Sequence, residues 1–318
     1  MSAKPDIVTA AVLVIGDEIL SGRTKDKNIG YIADYLTAIG IDLKEVRVVA
    51  DDAPEIVAAL DALREKYIYV FTTGGIGPTH DDITADCVAK AFGVALELHP
   101  EVVAILKERL LKTGGELNEA RLRMARIPHG ASLVANKVSG APGFWIDNVI
   151  TMAGIPSVMQ AMLDEVAPKL KTGTKLLSET IRADAKEGDV GTELGAIAKA
   201  HPEAIIGSYP FIDEKNGPNT NIVVRSRDAD KLAVVKAEVE GMLKKVKAQL
   251  SAAHWNCLCP NRKPKTHHVR RRSFPFPGTS FIATRARSHG ACTRPGRSRQ
   301  SSASRVVGLC LRRSSRAS

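Results

Sequence analysis

The sequence feature that most constrains this chain is a glycine-rich loop at residues 72–84, which reads TTGGIGPTHDDIT. The loop lies between an apolar run and a segment with helical spacing. Its three glycines allow the backbone to approach a ligand closely, and free N–H groups at the start of a helix favour an anion. Two adjacent carboxylates, Asp81 and Asp82, supply a metal ligand or a proton acceptor beside that anion. The loop therefore predicts an active site that handles a phosphate group.

Apolar runs alternate with segments of helical periodicity along residues 7–170. The predicted strands are 8–15, 41–49, 67–72, 132–135, 144–146 and 149–152, and the predicted helices are 28–39, 52–66, 81–92, 101–112, 116–126 and 156–170. This alternation predicts an α/β fold with an open, mostly parallel sheet that helices cover on both faces.

The pattern changes after residue 170 and predicts a second, smaller domain. Strands are expected at 176–182, 204–210 and 221–226, and helices at 189–200 and 229–250. Such an order suits a small α+β domain of the split βαβ type. We therefore divide the chain into a first domain at 1–170, a small α+β domain at 171–254 and a tail at 255–318.

The net charge of +10 is distributed unevenly along the chain. The tail contains 13 Arg and 2 Lys but no acidic residue, which leaves 30 basic and 35 acidic residues in residues 1–254. A basic tail of this kind is typical of an arm that binds nucleic acid or an acidic partner, or of an out-of-frame reading of a GC-rich gene. We favour a frameshift product or an otherwise unfolded segment, so nucleic acid is not an expected partner.

Location is predicted from what the sequence lacks. No apolar run approaches the length of a membrane span, and the N-terminus has no signal-peptide pattern. Cys87 is the one cysteine before the tail, which fits a reducing compartment. We expect a cytoplasmic protein without membrane association.

If the strand order is 2-1-3, the loops after the first and third strands face one crevice. Residues 16–28 form the first of these loops, and the second strand ends in Asp51 and Asp52. Carboxylates gathered around a glycine-lined crevice raise some pKa values or attract a divalent cation.

Each candidate residue also has a purely structural interpretation. The pattern Thr79-x-x-Asp82 has the form of a capping box, in which Asp82 satisfies N–H groups at a helix start. Turn or capping roles remain open for Asp17, Asp26, Asp51 and Asp52. His80 is expected in solvent and Cys87 in the core. The chain contains no dinucleotide-binding G-x-G-x-x-G spacing in this loop and no Gly-Lys-Ser/Thr triplet after it.

Four segments, in order along the chain, resemble the MoaB/Mog-type molybdopterin-binding domain. They are residues 16–28, 72–84, 136–144 and 152–157. The resemblance is closest to the branch found at the N-terminus of CinA (competence/damage-inducible protein A) and of eukaryotic FAD synthases. With the small domain it covers about residues 7–250, and it does not include the deamidase domain that CinA proteins often carry.

The resemblance implies a set of site residues. Asp82, Asp51 and Asp17 are the expected catalytic residues, and Asp82 matches the aspartate that relatives use in adenylyl transfer to molybdopterin. The expected substrate-binding residues are Gly16, Ser21, Gly22, Asp26, Asn28, Thr73, Gly74, Gly75, Gly77, Thr79, Ser139, Gly154 and Pro156. Ala153 stands where the family usually has a proline.

Asp81 stands where the pterin-handling branch has an arginine, and an acid in place of a base favours a bound cation. We therefore expect a divalent cation (Mg, Mn or Co) on Asp81 and Asp82. The activity implied first is hydrolysis of a dinucleotide pyrophosphate such as ADP-ribose or FAD. The alternatives are molybdopterin adenylylation or binding in molybdenum cofactor biosynthesis, and a nucleotide-binding module without catalysis. The expected partners are a small nucleotide or pterin and further copies of the chain, as a dimer or trimer.

Overall fold

The computed structural model describes residues 6–215 and 217–258. The first 170 residues contain eight strands and seven α-helices within this described part. In chain order they are β1 (Val8–Ile15), α1 (Asp17–Leu20), α2 (Asn28–Ile39), β2 (Ile41–Val49), α3 (Ala53–Lys66), β3 (Tyr69–Thr73), α4 (Thr84–Phe92), β4 (Leu96–Leu98), α5 (Pro100–Thr113), α6 (Glu119–Leu122), β5 (Arg126–Pro128), β6 (Ser132–Val134), β7 (Gly143–Ile146), β8 (Val149–Met152) and α7 (Pro156–Val166).

The main sheet has the strand order β2-β1-β3-β8-β7-β6. The first four strands pair in parallel, while β7 and β6 are antiparallel to their neighbours. Alternate residues of β1 point to opposite faces. Leu13 packs in the core cluster that contains Leu60 of α3, and Val12 in the cluster that contains Leu36 of α2 and Met159 of α7. The predicted α/β class, with a mostly parallel sheet and helices on both faces, is confirmed.

The small domain follows at β9 (Leu177–Arg182), α8 (Glu187–Ala200), β10 (Ile205–Asp213), β11 (Gly217–Ser226) and α9 (Ala229–Leu258). Its three strands are antiparallel in the order β10-β11-β9. Helices α8 and α9 cover one face of this sheet, where Val190 and Val239 pack in one cluster with Ile222. Helix α9 runs beyond the predicted helix end at residue 250. The interpretation of the tail concerns residues that lie almost entirely outside the described part of the chain.

Two predicted helices differ from the observed ones. Helix α4 begins at Thr84 and not at residue 81, so Asp81 and Asp82 lie in the loop before it. The predicted helix at 116–126 is replaced by α6, a 3₁₀ turn at Arg123–Ala125 and strand β5. The end of the predicted helix instead pairs with β4, and Pro128 disfavours helical backbone at the residue before it, Ile127.

Contacts also join the small domain to the main sheet. The Arg227 guanidinium forms an ion pair with Asp42 of β2 at 2.5 Å, and both side chains are only 13% exposed. Backbone bonds from Gly173 to the Gly40 carbonyl and from Thr174 to the Asp6 carbonyl hold the connecting segment. None of the helices in the described ranges is both long and apolar enough to cross a membrane.

Candidate functional site

The ends of β1, β3 and β8 meet at one edge of the sheet, and Gly74 lies at their centre. Its N–H donates to the Met152 carbonyl at 3.2 Å, and its φ of 104° lies in the region that favours glycine. A Cβ at this position would be 2.1 Å from the Ile15 carbonyl oxygen, and a Cβ on Gly154 would be 3.3 Å from the Gly74 Cα. The close approach of these three strand ends therefore requires glycine at position 74.

The loop that follows is tied back onto the start of α4. The Thr84 N–H donates to the Gly75 carbonyl at 3.0 Å, and the Thr84 hydroxyl donates to the Gly74 carbonyl at 2.9 Å. The N–H groups of Gly75, Ile76 and Gly77 donate to no protein acceptor within residues 6–215 and 217–258. Three successive backbone donors of this partly buried loop therefore have no partner within the described residues.

Asp82 closes the far end of this loop. Its Oδ2 accepts hydrogen bonds from the Thr79 N–H at 2.8 Å and from the Thr79 hydroxyl at 2.5 Å. The first of these bonds agrees with the capping-box interpretation. However, α4 begins two residues after Asp82, so the carboxylate satisfies loop groups rather than helix N–H groups. Gly77 is also constrained, because a Cβ there would be 2.6 Å from Asp82 Oδ2.

A guanidinium group that the sequence did not reveal lies beside this loop. Arg123 donates from Nη2 to the Asp82 carbonyl at 3.1 Å, and its buried Nε has no protein partner among the described residues. The pKa of the exposed Asp81 is lowered, first because the Thr79 hydroxyl lies within hydrogen-bonding reach, with smaller effects from His80 and Arg123. A positive charge is thus present near position 81 although the residue there is acidic.

Asp17 and Asp51 join the loops after β1 and β2. The Asp17 N–H donates to Asp51 Oδ2 at 2.9 Å. Burial raises the pKa of the Asp51 carboxyl, and the negative charges of Asp17, Glu18 and Asp81 add to this, while the hydrogen bond from Asp17 opposes it. Asp51 is therefore the carboxylate of the site whose proton affinity is increased.

No group of three or more His, Cys, Asp or Glu side chains is placed to hold a metal ion within the described ranges. The carboxylate of Asp82 is turned toward Thr79, and Asp81 is exposed. A divalent cation here would therefore need ligands from a bound substrate in addition to one or two carboxylates.

A pocket of about 60 Å³ lies between the end of β1 and the start of α2. Five of the predicted substrate-binding residues line it: Asp26, Asn28, Thr73, Gly154 and Pro156. Asp26 also has the structural role left open for it, because its Oδ1 accepts from the N–H groups of Asn28 and Ile29 at 3.1 and 2.8 Å. Lys25 and Lys27 line the pocket as well and were not predicted.

Eight of the predicted binding residues do not line this pocket, and Ser21, Gly22 and Ser139 are three of them. Ser21 and Gly22 are exposed at the end of α1, and Ser21 lines an open depression together with Asp17. Ser139 lies in a turn that Asn136 organises, since the Asn136 Oδ1 accepts from the Ser139 N–H at 3.1 Å. Ser139 lines neither the depression nor the 60 Å³ pocket.

Several structural interpretations are confirmed. Asp52 caps α3 by accepting from the Glu55 N–H at 3.4 Å, and the His80 side chain is 99% exposed. Cys87 is buried, which raises the pKa of its thiol to about 11. The N–H of Ala153 donates to the Met162 sulfur at 3.4 Å, a bond that a proline at this position would lose.

Comparison with known proteins agrees with this architecture. A family model described as probable molybdopterin binding domain matches residues 11–172, and one described as FAD synthase, middle domain, matches residues 175–250. A protein of Caldivirga maquilingensis is 39% identical over 166 residues, which cover 51% of this chain and 65% of that protein. A CinA-like protein of Gemmatimonas aurantiaca is 32% identical over 232 residues, which cover 69% of this chain and 54% of that protein.

The chain therefore spans less than two thirds of the length of these two relatives. Among solved structures, the CinA protein of Thermoplasma acidophilum is 34% identical. The match covers 51% of this chain and 98% of that one, with a TM-score of 0.48.

Proposed function

This chain belongs to the probable molybdopterin binding domain family, in its CinA-like branch, and from that premise we propose that it is a divalent-metal-dependent pyrophosphatase of dinucleotides such as ADP-ribose or FAD. The observation that carries the proposal is that the N–H groups of Gly75, Ile76 and Gly77 have no protein partner among the described residues, in the same loop as Asp81, whose charge acts on Asp51. Backbone donors in this arrangement suit a pyrophosphate, and carboxylates next to it suit hydrolysis.

The carboxylates present fit a hard divalent cation in their chemistry. Asp17, Glu18 and Asp81 lie close enough to Asp51 to affect its pKa, and Mg²⁺ or Mn²⁺ is commonly bound through one or two carboxylates together with substrate phosphates. Asp17 and Asp81 are the residues that would hold the cation, which when bound neutralises charge on the pyrophosphate. The Asp82 carboxylate, predicted to share this role, is engaged with Thr79 and instead fixes the loop.

The remaining steps use groups of the protein. The amides of Gly75, Ile76 and Gly77 bind the anionic oxygens and stabilise the charge that develops on them. Asp51 accepts a proton from the water that attacks one phosphorus, and its raised pKa strengthens it as a base. A new P–O bond forms as the bridging P–O bond breaks, and two phosphomonoesters are released.

The test is hydrolysis of ADP-ribose and FAD by the purified chain with Mg²⁺, Mn²⁺ or Co²⁺ supplied. Asp51→Asn is expected to lose about 100-fold or more of kcat with little change in substrate affinity. Asp34→Asn, which changes an exposed aspartate on α2, is the matched control and should retain full activity. If the protein binds these nucleotides but cleaves none of them with any of the three cations, the hydrolase proposal is wrong and a binding module is favoured.

Molybdopterin adenylylation or binding is the second candidate, and the position of Arg123 favours it. Asp81 stands where the pterin-handling branch has an arginine, yet the Arg123 guanidinium contacts the neighbouring Asp82 carbonyl from another part of the chain. An arginine there suits a polyphosphate. Transfer of AMP from ATP to molybdopterin, abolished by Arg123→Gln, would support this function over hydrolysis. The cytoplasmic location and the homo-oligomeric state remain predictions.

A further inference from the structure

Two buried side chains in the 60 Å³ pocket carry polar atoms without a protein partner. Asn28 is 4% exposed and Thr73 is 1% exposed, and both line the pocket. The Asn28 Nδ2 donates to the Gly154 carbonyl at 2.8 Å. This bond fixes the orientation of the amide, because a carbonyl can only accept. Neither Asn28 Oδ1 nor Thr73 Oγ1 has a hydrogen-bond partner among the described residues.

Such unpaired groups need an explanation, because burying a polar atom without a hydrogen-bond partner is unfavourable. Thr73 directly precedes Gly74, which packs against Gly154, so the pocket lies next to the loop that carries the N–H groups of Gly75, Ile76 and Gly77. The Thr72 hydroxyl also has no partner among the described residues, but unlike Thr72 both Asn28 and Thr73 line the pocket, and this combination points to a ligand.

The chemistry of the two atoms restricts the ligand. Asn28 Oδ1 can only accept a hydrogen bond, whereas the Thr73 hydroxyl both donates and accepts. Neighbouring hydroxyl groups on a ligand match this pair, since each hydroxyl also both donates and accepts. A volume of about 60 Å³ has room for a few water-sized groups, which suits part of a sugar better than a fused ring system.

We propose that this pocket, the Asn28–Thr73 pocket, binds the ribose hydroxyl groups of a nucleotide whose phosphates lie on the amides of Gly75–Gly77. The inference rests on the proposed function, because it assumes that those amides bind a nucleotide phosphate. The inference goes beyond the proposed function by making the ribose a determinant of specificity. Lys25 and Lys27, which also line the pocket, place positive charge beside the phosphates.

Thr73→Val tests the inference, because valine has nearly the shape of threonine and the hydroxyl it removes has no partner within residues 6–215 and 217–258. Thr72→Val is the matched control. Thr72 is the preceding residue of β3, is 0% exposed and also has an unpaired hydroxyl, but it does not line the pocket. Both variants are expected to fold as well as the wild type, which thermal unfolding checks.

The probes are inorganic pyrophosphate, ADP, 2′-deoxy-ADP and 3′-deoxy-ADP, with dissociation constants measured by calorimetry. The wild type is expected to bind ADP about tenfold more tightly than at least one deoxy analogue. Thr73→Val should lose most of this preference and keep its affinity for pyrophosphate, while Thr72→Val should behave as the wild type.

Binding of pyrophosphate and ADP without any preference for the ribose hydroxyls would overturn the inference and leave the proposed function standing. A preference that Thr72→Val loses equally would also overturn it, because the effect would then come from the strand and not from the pocket. If none of the four probes binds, the proposed function and the inference fail together.

Discussion

The N–H of Asp17 donates to the carboxylate of Asp51 at 2.9 Å, so the loop after β1 is held against the loop after β2. The same carboxylate is half-buried and faces the negative charges of Asp17, Glu18 and Asp81, which together with burial raise its pKa. One residue thus joins two loops of the crevice and carries the base of the proposed reaction. A carboxyl whose pKa is raised by burial and by neighbouring negative charges is typical of functional sites.

The first prediction concerns stability and activity at Asp51. A carboxyl whose pKa is raised in the folded state stabilises the fold only while protonated, and this contribution is lost as the pH rises above the ordinary value of 3.8. Asp51→Asn keeps an oxygen that can accept from Asp17 and removes the charge. Its Tm should therefore equal or exceed that of the wild type at pH 7, and the advantage should disappear near pH 3.

Kinetics complete this prediction. If Asp51 acts as a base, kcat/KM of the wild type rises with pH through the raised pKa of its carboxyl. Asp51→Asn should abolish this rise of kcat/KM with pH. A variant that is less stable than the wild type at pH 7 would show that the bond to Asp17, rather than charge repulsion, dominates the energetics of this contact.

The second prediction concerns Gly75, whose φ of 65° favours glycine and whose Cβ would lie 2.1 Å from Thr84 Oγ1. Gly75→Ala should disturb the bonds from Thr84 to the loop and weaken pyrophosphate binding together with stability. Gly22→Ala is the matched control, because Gly22 has a φ of 70° but open space around it. Its cost should be about 1–2 kcal/mol, the backbone strain alone.

Urea unfolding of both variants measures the two free energies. Gly75→Ala is expected to reduce the free energy of unfolding clearly more than Gly22→Ala does, and the difference between the two reductions measures the contact with Thr84. Equal losses would mean that the loop relaxes around the added methyl group, and the glycine would then not be required for the geometry of the site.

The first three strands could be predicted because their signals are local. The apolar run at Val8–Ile15, the helical spacing at Asn28–Ile39 and the glycine stop at Gly40 all lie within short windows of sequence. The rule that ligands bind beyond the carboxyl ends of parallel strands was applied with an assumed order 2-1-3, and the observed sheet has that order. Of the site, the gathering of Asn28, Thr73 and Gly154 in one pocket followed from the same rule and from the resemblance.

The contacts that could not be predicted join distant parts of the chain. Arg123 reaches Asp82 only because the segment after α6 turns into a strand, which pairs with a strand β4 that has no strong sequence pattern. The start of α4 was misplaced because the Asp82 carboxylate turns back to Thr79, a choice that depends on loop geometry rather than on helix propensity.

The third prediction concerns the ion pair between Asp42 and Arg227, which joins the main sheet to the small domain. Burial alone would raise the pKa of Asp42, but hydrogen bonds from Arg227 and Lys44 lower it below its ordinary value of 3.8. A lowered pKa contributes stability that is present above pH 3.8 and is lost as the pH falls through the folded-state pKa.

Asp42→Asn should therefore reduce the free energy of unfolding by about 1–3 kcal/mol at pH 7, and the difference should shrink below pH 3.8. Lys44→Gln is the control, because Lys44 is the more exposed partner of Asp42 and its loss should cost less than about 1 kcal/mol. Urea titrations from pH 3 to 7 measure both. If Asp42→Asn reduces the free energy of unfolding by the same amount at every pH, packing and not charge holds the two domains together here.

The fourth prediction has the opposite pH dependence and concerns His201 in the small domain. Its Nε2 lies 2.7 Å from a Glu238 carboxylate oxygen on α9, and its Nδ1 lies 3.1 Å from Glu203. These two hydrogen bonds raise the pKa of His201 above its ordinary value of 6.5, with the bond to Glu238 as the larger cause.

The stability that protonated His201 contributes is complete below pH 6.5 and is lost as the pH rises through the raised folded-state pKa. His201→Gln should therefore lower the Tm at pH 5.5 and leave it nearly unchanged at pH 9. His129→Gln is the control, because His129 is mostly exposed and lies 3.4 Å from its single partner Glu97. Proton titration of the imidazole by NMR checks the cause directly, since Glu238→Gln should return the pKa of His201 toward 6.5. An unchanged pKa of His201 in Glu238→Gln would show that α9 does not stabilise the protonated imidazole. The contact between α8 and α9 would then rest on their apolar cluster alone.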